Sequence, residues 1–407
     1  MTEEEKTIIS LKKELEELYK ENKKLNKRSG LLREVINMEI AVLGGGNGCY
    51  AAAVDLTEQG HNIRFWRRNK DSFKEVLERQ AIDVVDVNGS RTVDIYLATD
   101  NLEEAIKGVK LIVIPLPAFT QESLAKQLAP YLEDGQVIYL PPGTFGSYIM
   151  SKRLKEYGCT AEVMFAETGT LPYLSRKHSE SVVSISGRAT RLPTGVFPSN
   201  KSEEAFKILK EAYPAIEPIE DALSGALMNA GPIIHPPLII MNAGPIEHFD
   251  KWDIHDEGTQ KSIRNVHDAL DAERIRIREA LGYHAPHFPL ADHYNDYGDE
   301  WMYGDGAHDV LVDRDDWFEK LDLEEHRYMT EDVELGLAFI VSLGDWLGVP
   351  VPVAKGLLSI SSAVTGKDLR KTGRTIENLG LYSLTRKELK ILLEEGITAE
   401  ERIKRNA

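Results

Sequence analysis

The stretch MEIAVLGGGNGCYAAAVDLTEQGHNIRFWRRN, residues 38–69, decides the fold. A short apolar run, Ile40 to Leu43, breaks into Gly44-Gly45-Gly46-Asn47-Gly48. An alanine-rich helical pattern follows, then a turn at Gly60 and a second apolar run, Ile63 to Trp66. Strand, glycine turn, helix and strand form the first half of a dinucleotide-binding unit. Gly44 suits the tight turn, and Gly46 lets backbone N–H groups approach a pyrophosphate seated on the helix N-terminus. The third small-residue slot holds Cys49 rather than Gly or Ala, a mild departure. Gly44, Gly45, Gly46, Asn47 and Gly48 are therefore candidate cofactor contacts; the competing reading is a plain structural turn.

About 20 residues beyond the first glycine, a carboxylate ordinarily takes the ribose 2′-hydroxyl. This chain has Trp66-Arg67-Arg68-Asn69 there. Guanidinium groups suit a 2′-phosphate by charge and by forked donors, so Arg67 and Arg68 favour NADP(H) over NAD(H). Stacking on adenine, or plain solvent exposure, is the alternative for both.

Composition sets the frame. The 407 residues allow two or three domains with cores of their own. A formal charge of −17 argues against nucleic acid or an acidic membrane surface as partner. Only Cys49 and Cys159 are present, which fits a reducing compartment without a disulfide framework. No continuous apolar run reaches membrane-spanning length and the charged N-terminus is unlike a signal peptide, so a cytoplasmic protein is expected.

Residues 1–36 read as an amphipathic coiled-coil helix. Ile8, Leu15 and Asn22 share one heptad position, and Leu11, Leu18 and Leu25 share the other. This predicts a homodimer or higher oligomer, against a helix packed on its own subunit. Residues 38–217 alternate strand and helix patterns, with a hairpin signal at Asn88-Gly89-Ser90. The expected fold is α/β, a Rossmann domain with a doubly wound, mainly parallel sheet. Two loops, Pro115-Leu116-Pro117-Ala118-Phe119 and Pro141-Pro142-Gly143-Thr144-Phe145-Gly146, follow strands and should lie at the ligand-binding edge of the sheet. Pro115 is accordingly a candidate cofactor contact. Residues 218–407 lose the strand signals and predict an all-helical substrate domain.

Four stretches in the second half carry a resemblance: Met228-Asn229-Ala230-Gly231-Pro232-Ile233-Ile234-His235-Pro236-Pro237, Met241-Asn242-Ala243-Gly244, Arg327-Tyr328-Met329-Thr330-Glu331-Asp332-Val333, and Gly344-Asp345-Trp346-Leu347 with Gly348-Val349-Pro350. With the glycine turn and Arg374-Thr375-Ile376-Glu377-Asn378-Leu379-Gly380-Leu381, they make the chain resemble the octopine/nopaline (opine) dehydrogenase family from about Met38 to Gly396. The resemblance implies an active site in the cleft between the Rossmann and helical domains. It also implies NAD(P)H-dependent reductive condensation of an amino acid or amine with a 2-oxo acid. It assigns His235 as the catalytic histidine, Asp332 as its carboxylate partner and Arg327 as the holder of a substrate carboxylate. The alternative is a hydroxy-acid or keto-acid oxidoreductase that takes no amine.

The chemistry supports such a trio, because imine or ketone reduction needs a proton donor that titrates near neutrality. A fork-shaped cation suits anionic acids. Without the resemblance, His235 reads as a core or loop residue, Arg327 and Asp332 as a surface ion pair, and Thr330-Glu331-Asp332 as a helix cap. His248, in the second Asn-Ala-Gly-Pro copy, sits in a similar setting by coincidence. Residues 282–306 and their surroundings hold His284, His287, His293 and His308 with Asp292, Asp296 and Asp309. Their irregular spacing argues against a metal site and for a lid, with Tyr294 or Trp301 facing substrate.

Overall fold

The computed structural model describes residues 37–293, 300–303 and 320–406. The expected coiled coil, with Tyr294, Asp296, His308 and Asp309, lies outside the described residues.

The main sheet has eight strands. They are β1 (Glu39–Leu43), β2 (Asn62–Trp66), β5 (Leu97–Thr99), β6 (Leu111–Val113), β7 (Val137–Leu140), β8 (Met164–Thr168), β11 (Leu192–Phe197) and β12 (Ile216–Pro218). Their order is β12-β11-β8-β7-β6-β1-β2-β5. All pairings are parallel except β11 on β8. The middle strands are apolar without alternation because helices cover both faces, as the burial of Leu111–Val113 and Val137–Leu140 shows. The sheet reverses direction in sequence at β1 and β6, and open α/β folds bind ligands at such a switch point.

β3 (Ala81–Asp86) and β4 (Gly89–Asp94) form the expected hairpin, turning at Gly89 with φ +95°. They do not join the main sheet. With β9 (Tyr173–Lys177) and β10 (Val182–Arg188) they build a separate four-stranded sheet of order β4-β3-β10-β9. That layer was not anticipated from the sequence: β10 pairs with β9 and with β3, a strand of the hairpin nearly a hundred residues earlier in the chain, which no local pattern signals.

Beyond β12 the described chain is helical. The pieces that shape the site are α7 (Ala222–Ala226), α8 (Gly231–Met241), α9 (Ala243–His248), α10 (Lys261–Leu281), a π-helix (Tyr328–Leu337) and α11 (Ala338–Leu347). Residues 222–241 have the length and hydropathy of a membrane span, contrary to the reading of the sequence, but 78% of that window is buried inside the fold. The apolar surface is core. Two glycines set the closeness of α8 and the π-helix: a Cβ on Gly336 would lie 2.2 Å from Pro232 Cγ, and one on Gly231 would lie 2.2 Å from Asp332 Oδ1.

Candidate active site

The glycine turn sits at the carboxyl end of β1. Gly44 takes φ +125°, and a Cβ there would meet Leu116 at 2.4 Å, so only glycine fits. Gly46 caps helix α1 (Asn47–Glu58) with no side-chain hydrogen bond, leaving the first-turn N–H groups uncapped by any side chain. A Cβ on Gly46 would meet nothing within 4 Å, so the turn is open at that point. Cys49 fills the third slot with its thiol against the Leu43 and Pro115 carbonyls, 3.6 Å from each. Burial pushes that thiol up to about 12, so it is a small packing residue here. Lys177 adds charge beside the turn: its backbone N–H donates to Asn47 Oδ1 at 3.0 Å, and its ammonium lies 4.9 Å from the Tyr50 ring centre. An open helix N-terminus bordered by cations fits the pyrophosphate of a nicotinamide dinucleotide.

Arg67 lies across the turn, where a Cβ on Gly45 would come within 2.2 Å of its Nε, and it donates to the Ser72 carbonyl at 2.6 Å. Arg68 is exposed. The pair thus diverges, with Arg67 against the glycines and Arg68 toward solvent.

Gly46, Asn47, Gly48 and Pro115 open into a cleft of about 430 Å³ that continues to Asn229, His235, Arg327, Glu331 and Asp332. A larger groove of about 840 Å³ lies at the opposite edge of the sheet, around Lys110, Asp134, Glu162 and Lys201. It contains mixed surface charge and no part of the glycine turn, so the chemistry belongs to the smaller cleft.

His235 projects from α8, which begins with Pro232 in its first turn and carries Pro236 and Pro237 inside. Two missing N–H groups weaken that helix, and its buried prolines packed in the core hold it in place. His235 Nδ1 lies 2.7 Å from Asp332 Oδ2. The imidazole also stacks on Tyr328, with ring centres 3.6 Å apart and planes 12° from parallel. Contacts at the edge and face together fix the ring. Tyr328 and Asp332 both come from the π-helix, whose wide turn begins with Arg327 and uses no side-chain cap. Asp332 is therefore no helix cap. It is inside the helix and buried, so it is no surface ion pair either.

Burial pushes Asp332 up to about 7, against the pull of Arg327 and His326. Burial and then the Asp332 charge push Glu331 up to about 7 as well. Burial pulls the Arg327 guanidinium down, but Tyr328, Asp332 and Glu331 together outweigh it and raise it, so it stays charged. The ring of His255 lies near that of His235, with centres 6.4 Å apart. Burial, then the His235 charge, hold it down at about 4.

Three further residues were not singled out by sequence reasoning. Arg176, on β9, lines the cleft. Glu331 accepts the Ala118 N–H at 2.8 Å. Arg374, buried, donates to the Thr144 carbonyl and, at 3.0 Å, to Gln121 Oε1. Glu331 and Arg374 thereby tie both Pro/Gly loops to the helical region. Arg374 opens the stretch Arg374–Leu381 and Glu331 stands beside Asp332, so proximity was the available signal.

Of the remaining candidates, His293 and Tyr303 line the cleft, whereas Trp301 is not among the described residues that do. His287 accepts from Arg278 Nε at 3.2 Å, and His284 is exposed. His248 is exposed beside Phe249 and is not among the described residues that line the cleft. Asn242 of the second Asn-Ala-Gly-Pro copy donates to the Leu238 and Gly258 carbonyls.

Comparison with known proteins agrees with this architecture. Residues 218–365 match the family model of the NAD/NADP octopine/nopaline dehydrogenase alpha-helical domain, and residues 39–152 match that of the NAD-dependent glycerol-3-phosphate dehydrogenase N-terminus. An opine dehydrogenase of Arthrobacter sp. (strain 1C) is 28% identical over 352 residues, covering 85% of this chain and 96% of the relative. The fold resembles octopine dehydrogenase in complex with NADH and agmatine, with a TM-score of 0.65 at 17% identity over 88% of this chain and 98% of that one. It also resembles NADP+-bound yersinopine dehydrogenase, with a TM-score of 0.57 at 14% identity over 88% and 98% of the two chains.

Proposed function

We propose that this chain, whose residues 218–365 match the octopine/nopaline dehydrogenase alpha-helical domain, reductively condenses an amino acid or amine with a 2-oxo acid, and catalyses the reverse oxidation. The observation that carries this reading is the His235–Asp332 contact in a cleft continuous with the glycine turn.

In this reading Gly44 to Gly48 and Pro115 hold the dinucleotide, which when bound supplies a hydride. Arg67 and Arg68 favour NADP(H); the NADH and NADP+ of the two structural relatives leave both cofactors within the family's range. Arg327 holds the carboxylate of the 2-oxo acid, placing its carbonyl carbon beside the imidazole. Asp332 binds Nδ1 and so assigns proton transfer to Nε2. His235 then gives its proton to the imine nitrogen, or takes it back in the oxidation. Glu331 and Arg374 keep the Pro/Gly loops against the helical region. Residues 38–217 form the dinucleotide domain and 218–407 the substrate domain. Self-association through residues 1–36 and a cytoplasmic setting complete the proposal and rest on the sequence.

The test is NADPH and NADH oxidation over a grid of 2-oxo acids, each with and without a panel of amino acids and amines. Turnover that requires both partners supports the condensation. Turnover with the 2-oxo acid alone would make the protein a hydroxy-acid dehydrogenase instead.

A further inference from the structure

Side chains alternate faces along a strand, so residues two apart in β9 share a face. Tyr173 and Lys177 point to the Rossmann helix α1: the Tyr173 hydroxyl reaches Asp55 at 3.1 Å, and the Lys177 ammonium lies over the Tyr50 ring. Leu174 points the other way and packs with Met228, Phe288, Met302 and Tyr303 from the helical part of the chain. Arg176 shares that second face, and the residue lines the cleft together with His235 and Arg327. One cation therefore comes from the π-helix side and a second from the separate four-stranded sheet.

Charge decides what such a cleft takes. Asp332 is engaged by His235 and Glu331 by the Ala118 N–H, while Arg327 and Arg176 bring two guanidiniums to the same cleft. A 2-oxo acid alone brings one carboxylate. A condensed amino acid and 2-oxo acid bring two, one on each side of the new C–N bond. The geometry points to Arg176 as the anchor for the carboxylate of the amine partner, a specificity residue that makes the site select α-amino acids over simple amines. This rests on the condensation proposed above. Arg327 keeps the oxo-acid carboxylate, and the reacting nitrogen lies between the two guanidiniums, beside His235.

The experiment compares wild type, Arg176→Gln and Arg176→Lys. Each amino acid that wild type accepts is set against its carboxamide, at saturating 2-oxo acid and NADPH. Loss of a forked, charge-assisted contact is worth roughly 30-fold or more in affinity. Wild type is expected to prefer the acid over the amide by roughly that factor in kcat/KM. Arg176→Gln should lose the preference to within about threefold, through a fall for the acid form, while KM for the 2-oxo acid stays within about threefold. Arg176→Lys, which keeps charge but not the fork, should fall between, and it carries the test if the Gln variant does not fold. A Gln variant that retains the acid preference overturns the assignment, as does a loss that appears in KM for the 2-oxo acid. If wild type turns over without any amine, the condensation itself fails, and the assignment falls with it by a separate route.

Discussion

His235 Nδ1 and Asp332 Oδ2 lie 2.7 Å apart although 97 residues separate them in the chain. One sits on a helix interrupted by prolines, the other on a π-helix, and Gly231 and Gly336 let the two helices approach closely enough for contact.

Removing the imidazole should remove the proton donor and little else. His235→Ala is expected to lower kcat by roughly 10²–10⁴-fold, the usual worth of a positioned acid–base group, with NADPH affinity near wild type. Asp332→Asn should lower kcat by roughly 10²-fold or more by releasing the ring's tautomer and orientation. Single-turnover rates and a fluorescence titration of NADPH separate the two effects. A His235→Ala enzyme with wild-type turnover would refute the role.

The cofactor preference can be read from one double variant. Arg67→Ala with Arg68→Ala should weaken NADPH at least roughly tenfold more than NADH, since only NADPH carries the 2′-phosphate. Equal weakening would assign the pair to the shared part of the cofactor.

Glu331 links stability to pH. Its folded-state value, raised to about 7 by burial and by Asp332, lies above its ordinary value of 4.5. The folded state thus holds the proton more tightly than the unfolded chain. That stability is complete below about pH 4.5 and is lost as pH rises through 7. Glu331→Gln still accepts the Ala118 N–H but does not titrate. The melting temperature of the variant relative to wild type should therefore rise between pH 5 and pH 8, and a flat difference would contradict the linkage.

Helix packing should be felt in the chemistry. Gly336→Ala puts a methyl group into Pro232, an overpacking expected to cost about 1–3 kcal/mol of stability. Because Pro232 begins the helix that carries His235, kcat should fall as well, while NADPH binding is unchanged. Chemical denaturation and steady-state kinetics measure both; normal kcat with normal stability would show that the helices relax at no cost.

The sequence exposed the parts of this protein that depend on local chemistry. The turn at Gly44–Gly48 and the hairpin at Gly89 each follow from residues within a few positions of one another. The pairing of His235 with Asp332 entered through resemblance to a family, since spacing said nothing of a contact across 97 residues. The π-helix had no local signature: its Thr-Glu-Asp run looks like an ordinary helix start. Arg176 stayed hidden because it sits among Ser175 and Lys177 on a five-residue strand. His235 and Arg327, which share the cleft, lie far away in sequence in the helical region.

The most direct test of the central claim follows the nitrogen. Protein is incubated with NADPH, a 2-oxo acid and an amino acid labelled with nitrogen-15, and the product is weighed by mass spectrometry. The account predicts a secondary amine that retains the label, with the mass of both partners less one water plus two hydrogens. A hydroxy acid without the label, formed equally well when the amino acid is omitted, would contradict it.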